Sequence, residues 1–266
     1  MRILLFIFII LSGCSQSSKD KCLCLLNEDK YKDAIYECGK AIELNKKDAI
    51  NYFNRGRAKG NLGDYKGAII DFDKAIKLRP NDTSSYYKRG YAKFNLGYYK
   101  GAIIDFDKAI ELNSKYKIAY QYRGSAKGNL GDYKAEILDY NKAIELDPKD
   151  ALTFKARGSA RGNLGDFKGA IIDFNKAIKL NPKDGGNFSN RGYAKGNLGD
   201  FKGAIIDFEK AIKLSPKDGF AYLNRGYAKD ELSDLKGACL DWSKAGELGV
   251  SEAYDLINEN CNNVMP

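Results

Sequence analysis

Apolar and polar positions along this chain follow a helical rhythm that restarts every 34 residues, most clearly from Asn51 to Pro80 and then down almost the whole sequence. With Ala49 as position 1, position 4 is aromatic (Tyr52, Tyr86, Tyr120, Phe154, Phe188, Tyr222), and so is position 24 (Phe72, Phe106, Tyr140, Phe174, Phe208, Trp242). Position 27 is always alanine, from Ala75 to Ala245, and position 20 is small except at Glu136. Each unit therefore predicts two amphipathic helices, A and B, joined by a tight turn at Gly63, Gly97, Gly131, Gly165, Gly199 and Ser233. Pro80, Pro148, Pro182 and Pro216 stop helix B. Asp82, Asp150, Asp184 and Asp218 stand where they cap the next helix A, and Asp64, Asp132, Asp166 and Asp200 where they cap helix B. Units this regular bury their apolar faces only by stacking on one another.

Six glycines (Gly56, Gly90, Gly124, Gly158, Gly192, Gly226) keep the same period. Together with positions 4, 15, 17, 20, 24 and 27, they make the chain resemble the tetratricopeptide-repeat family over roughly residues 22–248. The resemblance implies an all-α fold, a solenoid of helix-turn-helix repeats with a C-terminal capping helix. Six repeats are expected over 49–248, preceded by a degenerate first repeat over 22–48, where Cys22 replaces the glycine. Repeat four departs from the pattern: its linker Asn113–Tyr116 lacks proline and aspartate, and Glu136 occupies the small position. A carboxylate in a packed seam is costly unless paired, so either a local opening or a pairing with Arg123 or Lys127 is expected.

Arginine recurs at position 7 (Arg55, Arg89, Arg123, Arg157, Arg191, Arg225) and aspartate at position 23 (Asp71, Asp105, Asp139, Asp173, Asp207, Asp241). Identical placement in every repeat favours a structural Arg–Asp ladder between helices A and B over a row of ligand-binding arginines.

The N-terminus has a different pattern. Nine apolar residues, Ile3–Leu11, follow Met1-Arg2, too few to span a bilayer but suited to a signal-peptide core. Leu11-Ser12-Gly13-Cys14 resembles the lipobox of bacterial lipoproteins. Residues 1–13 are then a signal peptide, Cys14 is lipidated, and 14–21 form a tether. The expected location is the cell envelope, anchored by acyl chains and facing the periplasm or the cell surface.

Composition narrows the chemistry. Lys plus Arg (44) exceeds Asp plus Glu (35), so the chain is basic and favours anionic partners. It has no histidine, which removes His-based acid–base catalysis, Ser-His and Cys-His pairs and most zinc sites. No catalytic set stands outside the repeats; no enzyme activity, metal or cofactor is expected.

By resemblance, helix A lines a concave groove that holds extended or helical peptides. Its positions here supply Phe53, Asn54 and Arg57 from repeat two, then Tyr87, Lys88, Tyr91 and Phe94 from repeat three. Gln121 and Tyr122 follow, then Asn190, Tyr193 and Tyr227. The aromatic set of repeats two to four is the favoured site. No repeat carries the Lys and Asn of the carboxylate clamp that chaperone-binding members use.

Residues 249–266 are expected to form a cap helix over the last face. Cys239 and Cys261 either join in a disulfide tying that helix down or stay as two buried thiols. Cys22, Cys24 and Cys38 are an odd set that spacing alone cannot pair. The function expected is a non-catalytic envelope scaffold that binds a peptide segment or partner protein and no nucleic acid. The alternative is a binder of an anionic envelope polymer, peptidoglycan or polysaccharide, through a basic aromatic groove.

Overall fold

The computed structural model describes residues 17–261; Cys14 and the expected leader lie outside them. Among the described residues the chain forms fifteen helices and no strand. None of these helices is long and apolar enough to cross a membrane. The chain divides between Ala126 and Lys127, within one helix, into two compact units.

The first unit pairs α1 (Ser18–Asn27) with α2 (Tyr31–Leu44), α3 (Ala49–Asn61) with α4 (Tyr65–Leu78), and α5 (Thr83–Asn95) with α6 (Tyr99–Leu112). The dividing helix is α7 (Lys117–Asn129). The second unit continues with α8 (Tyr133–Leu146), α9 (Ala151–Asn163), α10 (Phe167–Leu180), α11 (Gly185–Asn197) and α12 (Phe201–Leu214). It closes with α13 (Gly219–Asp230), α14 (Leu235–Glu247) and a last helix, α15 (Glu252–Asn260), packed on α14.

Local chemistry sets these boundaries. Asp82, Asp184 and Asp218 accept backbone N–H bonds at the starts of α5, α11 and α13, and Asp64, Asp132, Asp166 and Asp200 do so at α4, α8, α10 and α12. Helix α6 is preceded by Tyr98, which gives no side-chain cap. The A–B turn requires positive φ, which glycine adopts freely: Gly199 has φ 80°. In the last repeat that place falls to Ser233 (φ 65°), and in the first to Asp29 (φ 58°).

The core is built from the ring at position 24 lying against the glycine of the facing helix A. A Cβ on Gly192 would stand 3.0 Å from the Phe208 ring, so a larger residue would push α11 off α12. The same geometry accounts for the first repeat. Cys22 and Cys38 hold the two places that Gly56 and Phe72 hold one period later, and they are joined as a disulfide with Cα atoms 5.0 Å apart. Cys239 and Cys261 form a second disulfide, fastening the end of α15 to α14.

The arginine and aspartate columns meet as a buried ladder. Asp71, Asp105, Asp173, Asp207 and Asp241 each accept two bonds from the arginine sixteen residues earlier, as Arg191 Nε does at 2.9 Å from Asp207. A second cation joins each aspartate, for example Lys195 Nζ at 2.8 Å from Asp207 and Lys229 Nζ at 2.7 Å from Asp241. These cations hold the helices together and face inward.

Glu136 does not pair with Lys127. Lys127 Nζ lies 2.8 Å from Asp139, the ladder aspartate of its own repeat, and so is already engaged. Glu136 instead accepts the Tyr140 hydroxyl at 3.1 Å and fills the space left by Gly128, whose missing Cβ would lie 2.3 Å from the carboxylate. Burial raises the Glu136 pKa, with the Tyr140 hydroxyl opposing the shift.

Candidate functional site

In the second unit the A helices α9, α11 and α13 adjoin in that order. Between α11 and α13 lies a cavity of about 510 Å³, within the range of ligand sites. Tyr193, Phe201, Phe208, Phe220 and Tyr227 supply five rings to its wall, and Gly192 and Gly196 leave the space that side chains would otherwise fill. Glu231 of the α13–α14 turn and Glu252 of α15 add two carboxylates. Between α9 and α11 is a second cavity of about 380 Å³, lined by Ser159, Gly162, Asn163, Phe167 and Asn190. Tyr193, more than half exposed, is a wall of both.

The larger cavity is acidic. Its lining includes no lysine or arginine. The neighbouring cations Arg191, Lys195, Arg225 and Lys229 are turned onto Asp207 and Asp241. Tyr227 donates its hydroxyl to Glu252 Oε1 at 2.9 Å. Burial first, then this bond and the Glu252 charge, push the Tyr227 phenol up to about 12. The chemistry on offer is binding: rings for apolar and cation contact, carboxylates as acceptors. Among the described residues no cluster could hold a metal ion.

The first unit fills the corresponding face. Tyr87 is buried, with ring centroids 5.3 Å from Tyr116, 5.9 Å from Tyr122 and 6.1 Å from Phe106. Tyr91 meets Tyr122 at 5.1 Å, and Phe94 meets Tyr122 at 5.7 Å. Beside this cluster is a recess of about 70 Å³ next to Arg57, Lys88 and Tyr91, and a separate one of about 280 Å³ is lined by Phe53, Asn54, Arg79 and Ser84. Lys88 lies over the rings of Tyr87 and Tyr91, and its pKa is lowered by burial and then by the charge of Arg57. The part of the face around Tyr91 and Tyr122 is basic and nearly flush.

The sequence-predicted residues thus divide. Tyr193, Tyr227 and Asn190 line the open cavities. Arg57, Lys88 and Tyr91 surround the small recess, and Phe94 and Tyr122 belong to the aromatic cluster. Tyr87 and Asn54 are both buried. Tyr87 is held in the core by the rings around it, and Asn54 lies beside Phe53 in a separate recess with Leu23 and Ser85. Gln121 is half-buried on α7. Phe220, Glu231 and Glu252 were not anticipated. Phe220 and Glu231 stand at positions 2 and 13 of the last repeat, groove positions like the others, and Glu252 lies beyond the repeats. Small rather than large residues leave the space here: Gly162 and Gly196 hold position 12, which Phe94 fills in repeat three.

Comparison with known proteins agrees with this architecture. A TPR-repeat family model matches residues 61–97, and a tetratricopeptide-repeat model matches 83–116, 119–150, 156–184 and 188–218. No curated protein matches the chain. Among solved structures, it is similar to YrrB, described as a TPR protein with an unusual peptide-binding site, at 26% identity over 69% of this chain and 95% of that one, with a TM-score of 0.61. It is similar to MamA from Desulfovibrio magneticus RS-1 at 25% identity, covering 63% of this chain and 97% of that one, with a TM-score of 0.59. A tetratricopeptide-repeat protein from Parabacteroides merdae ATCC 43184 shares the fold at 21% identity, over 93% and 100% of the two chains, with a TM-score of 0.68.

Proposed function

The chain belongs to the tetratricopeptide-repeat family, a scaffold suited to protein–protein interaction, and from that premise we propose that it binds an extended segment of a partner protein along α9, α11 and α13. The observation that carries this reading is the pair of adjoining cavities, about 510 and 380 Å³, with Tyr193 between them. Two side chains of one bound strand would occupy them, while Asn163, Asn190 and Asn224 offer amides to its backbone. YrrB, described as having an unusual peptide-binding site, supports the reading by analogy. The scaffold performs no reaction of its own in this account.

We place the protein in the cell envelope on the strength of the Cys14 lipobox alone. Cys14→Ser should release the chain from the membrane fraction, and continued retention would contradict the anchor. For the site, a pull-down from solubilised envelope compares wild type with Gly162→Leu/Gly196→Leu. A Cβ at Gly162 meets nothing within 4 Å and one at Gly196 only Ala204 at 3.9 Å, so the leucines enter open space. Loss of the recovered protein from the variant supports the site; equal recovery refutes it. The anionic-polymer reading keeps one observation in its favour, the convergence of Arg57 and Lys88 over the flush aromatic face of the first unit. Salt-sensitive glycan binding that Lys88→Gln weakens would support it.

A further inference from the structure

Resting on the peptide-binding reading, we infer that the larger cavity selects a cationic side chain, lysine or arginine, of the bound segment. The cavity joins two features that recognise a cation independently. Rings of Tyr193, Phe220 and Tyr227 present π-faces and edges, and a cation over such a face is attracted by the ring quadrupole. Glu231 and Glu252 provide carboxylates at the same cavity. Each carboxylate has room for several donors, and Tyr227 contributes one to Glu252. An arginine reaching in would find stacking and bidentate acceptors together.

The charge arrangement is specific to this place. The chain as a whole carries nine more positive than negative side chains, yet no cation lines this cavity. The basic residues of α11 and α13 nearest to it are committed to Asp207 and Asp241 beneath. A glutamate or aspartate of a ligand would meet two like charges there, and an aliphatic side chain would offer the two carboxylates no partner. The neighbouring cavity, with Ser159, Asn163 and Asn190, carries no charged lining and takes a neutral side chain. The two together define a register: a basic residue at one place and a neutral one beside it.

The test uses the full chain and four immobilised libraries of nonapeptides, randomised except at the centre, which is Arg, Lys, norleucine or Glu. The Arg and Lys libraries should retain about tenfold more protein than the norleucine library, the scale of one or two cation–π and carboxylate contacts. Glu231→Gln/Glu252→Gln should bring that ratio to within about twofold, whereas Lys210→Gln on the far side of the repeat should leave it unchanged. Equal retention of Arg and norleucine peptides, or a preference that survives the double variant, overturns the inference while leaving peptide binding intact. Binding of none of the four libraries would overturn it together with the reading on which it rests.

Discussion

The Tyr227 hydroxyl donates to Glu252 across 2.9 Å, so the closing helix α15 touches the cavity side of α13 and is part of the cavity wall. A helix that covers the apolar end of a stack thereby also supplies a charge to the cavity. The bond has a direct spectroscopic signature. Burial and the adjacent carboxylate favour the neutral phenol and push it up to about 12, so the folded state holds this proton after the unfolded chain has lost it. The contribution to stability is complete below the ordinary tyrosine value and fades as pH rises through about 12. Ultraviolet difference titration of wild type against Tyr227→Phe should show that phenol ionising near 12. In Glu252→Gln it should move down toward the ordinary tyrosine range; an unmoved titration contradicts the contact.

Ser233 occupies a turn where five other repeats use glycine, with φ 65°. A left-handed conformation costs a residue with a Cβ about 1 kcal/mol or more. Ser233→Gly should stabilise the second unit by about 1 kcal/mol in urea denaturation, and Gly199→Ala should destabilise it by a similar amount.

Glu136 makes the opposite contribution from the ladder aspartates. Burial raises its pKa, so the folded state favours the protonated acid and the charged form is a burden at neutral pH. The favourable share is present below the ordinary glutamate value and is lost as pH rises through the raised one. Glu136→Gln keeps an acceptor for Tyr140 and removes the charge. It should raise the melting temperature at pH 7 by about 2 °C, with the difference vanishing in acid. A lower melting temperature would mean the carboxylate is stabilising.

Asp207 is nearly inaccessible and holds both Arg191 and Lys195. Removing it leaves two uncompensated cations against the core. Asp207→Ala should cost about 3–5 kcal/mol, the usual price of breaking a buried pair, and Asp207→Asn somewhat less. A change below about 0.5 kcal/mol would match an exposed pair instead.

Much of the fold was legible because the repeat imposes one packing solution many times. The small residues at positions 20 and 27, the rings at 24 and the Arg–Asp columns all mark contacts within or between adjacent helices, which a period exposes directly. The Cys22–Cys38 bond was legible in principle, since it replaces the Gly56–Phe72 approach one period on; reading the cysteines by their spacing hid it. The site was harder. Tyr91 and Tyr193 share position 9, yet Tyr91 packs against the rings of Tyr65, Tyr87 and Tyr122 while Tyr193 stands between two cavities. Whether a ring fills or frames a groove depends on the size of its neighbours across helices, and aromatics attract attention where glycines make the space. Glu252 could not be placed on the cavity from the repeat at all, because it lies outside the period.

The central claim, that the binding face lies in the second unit, is tested most directly by one matched pair of variants. Gly60 and Gly196 share position 12, and a Cβ at either meets only an alanine Cβ at 3.9 Å, Ala68 or Ala204. Peptide affinity should fall at least about tenfold in Gly196→Leu, which blocks the large cavity, and stay within about twofold in Gly60→Leu. Unchanged affinity in Gly196→Leu with loss in Gly60→Leu would move the site to the first unit and contradict the account.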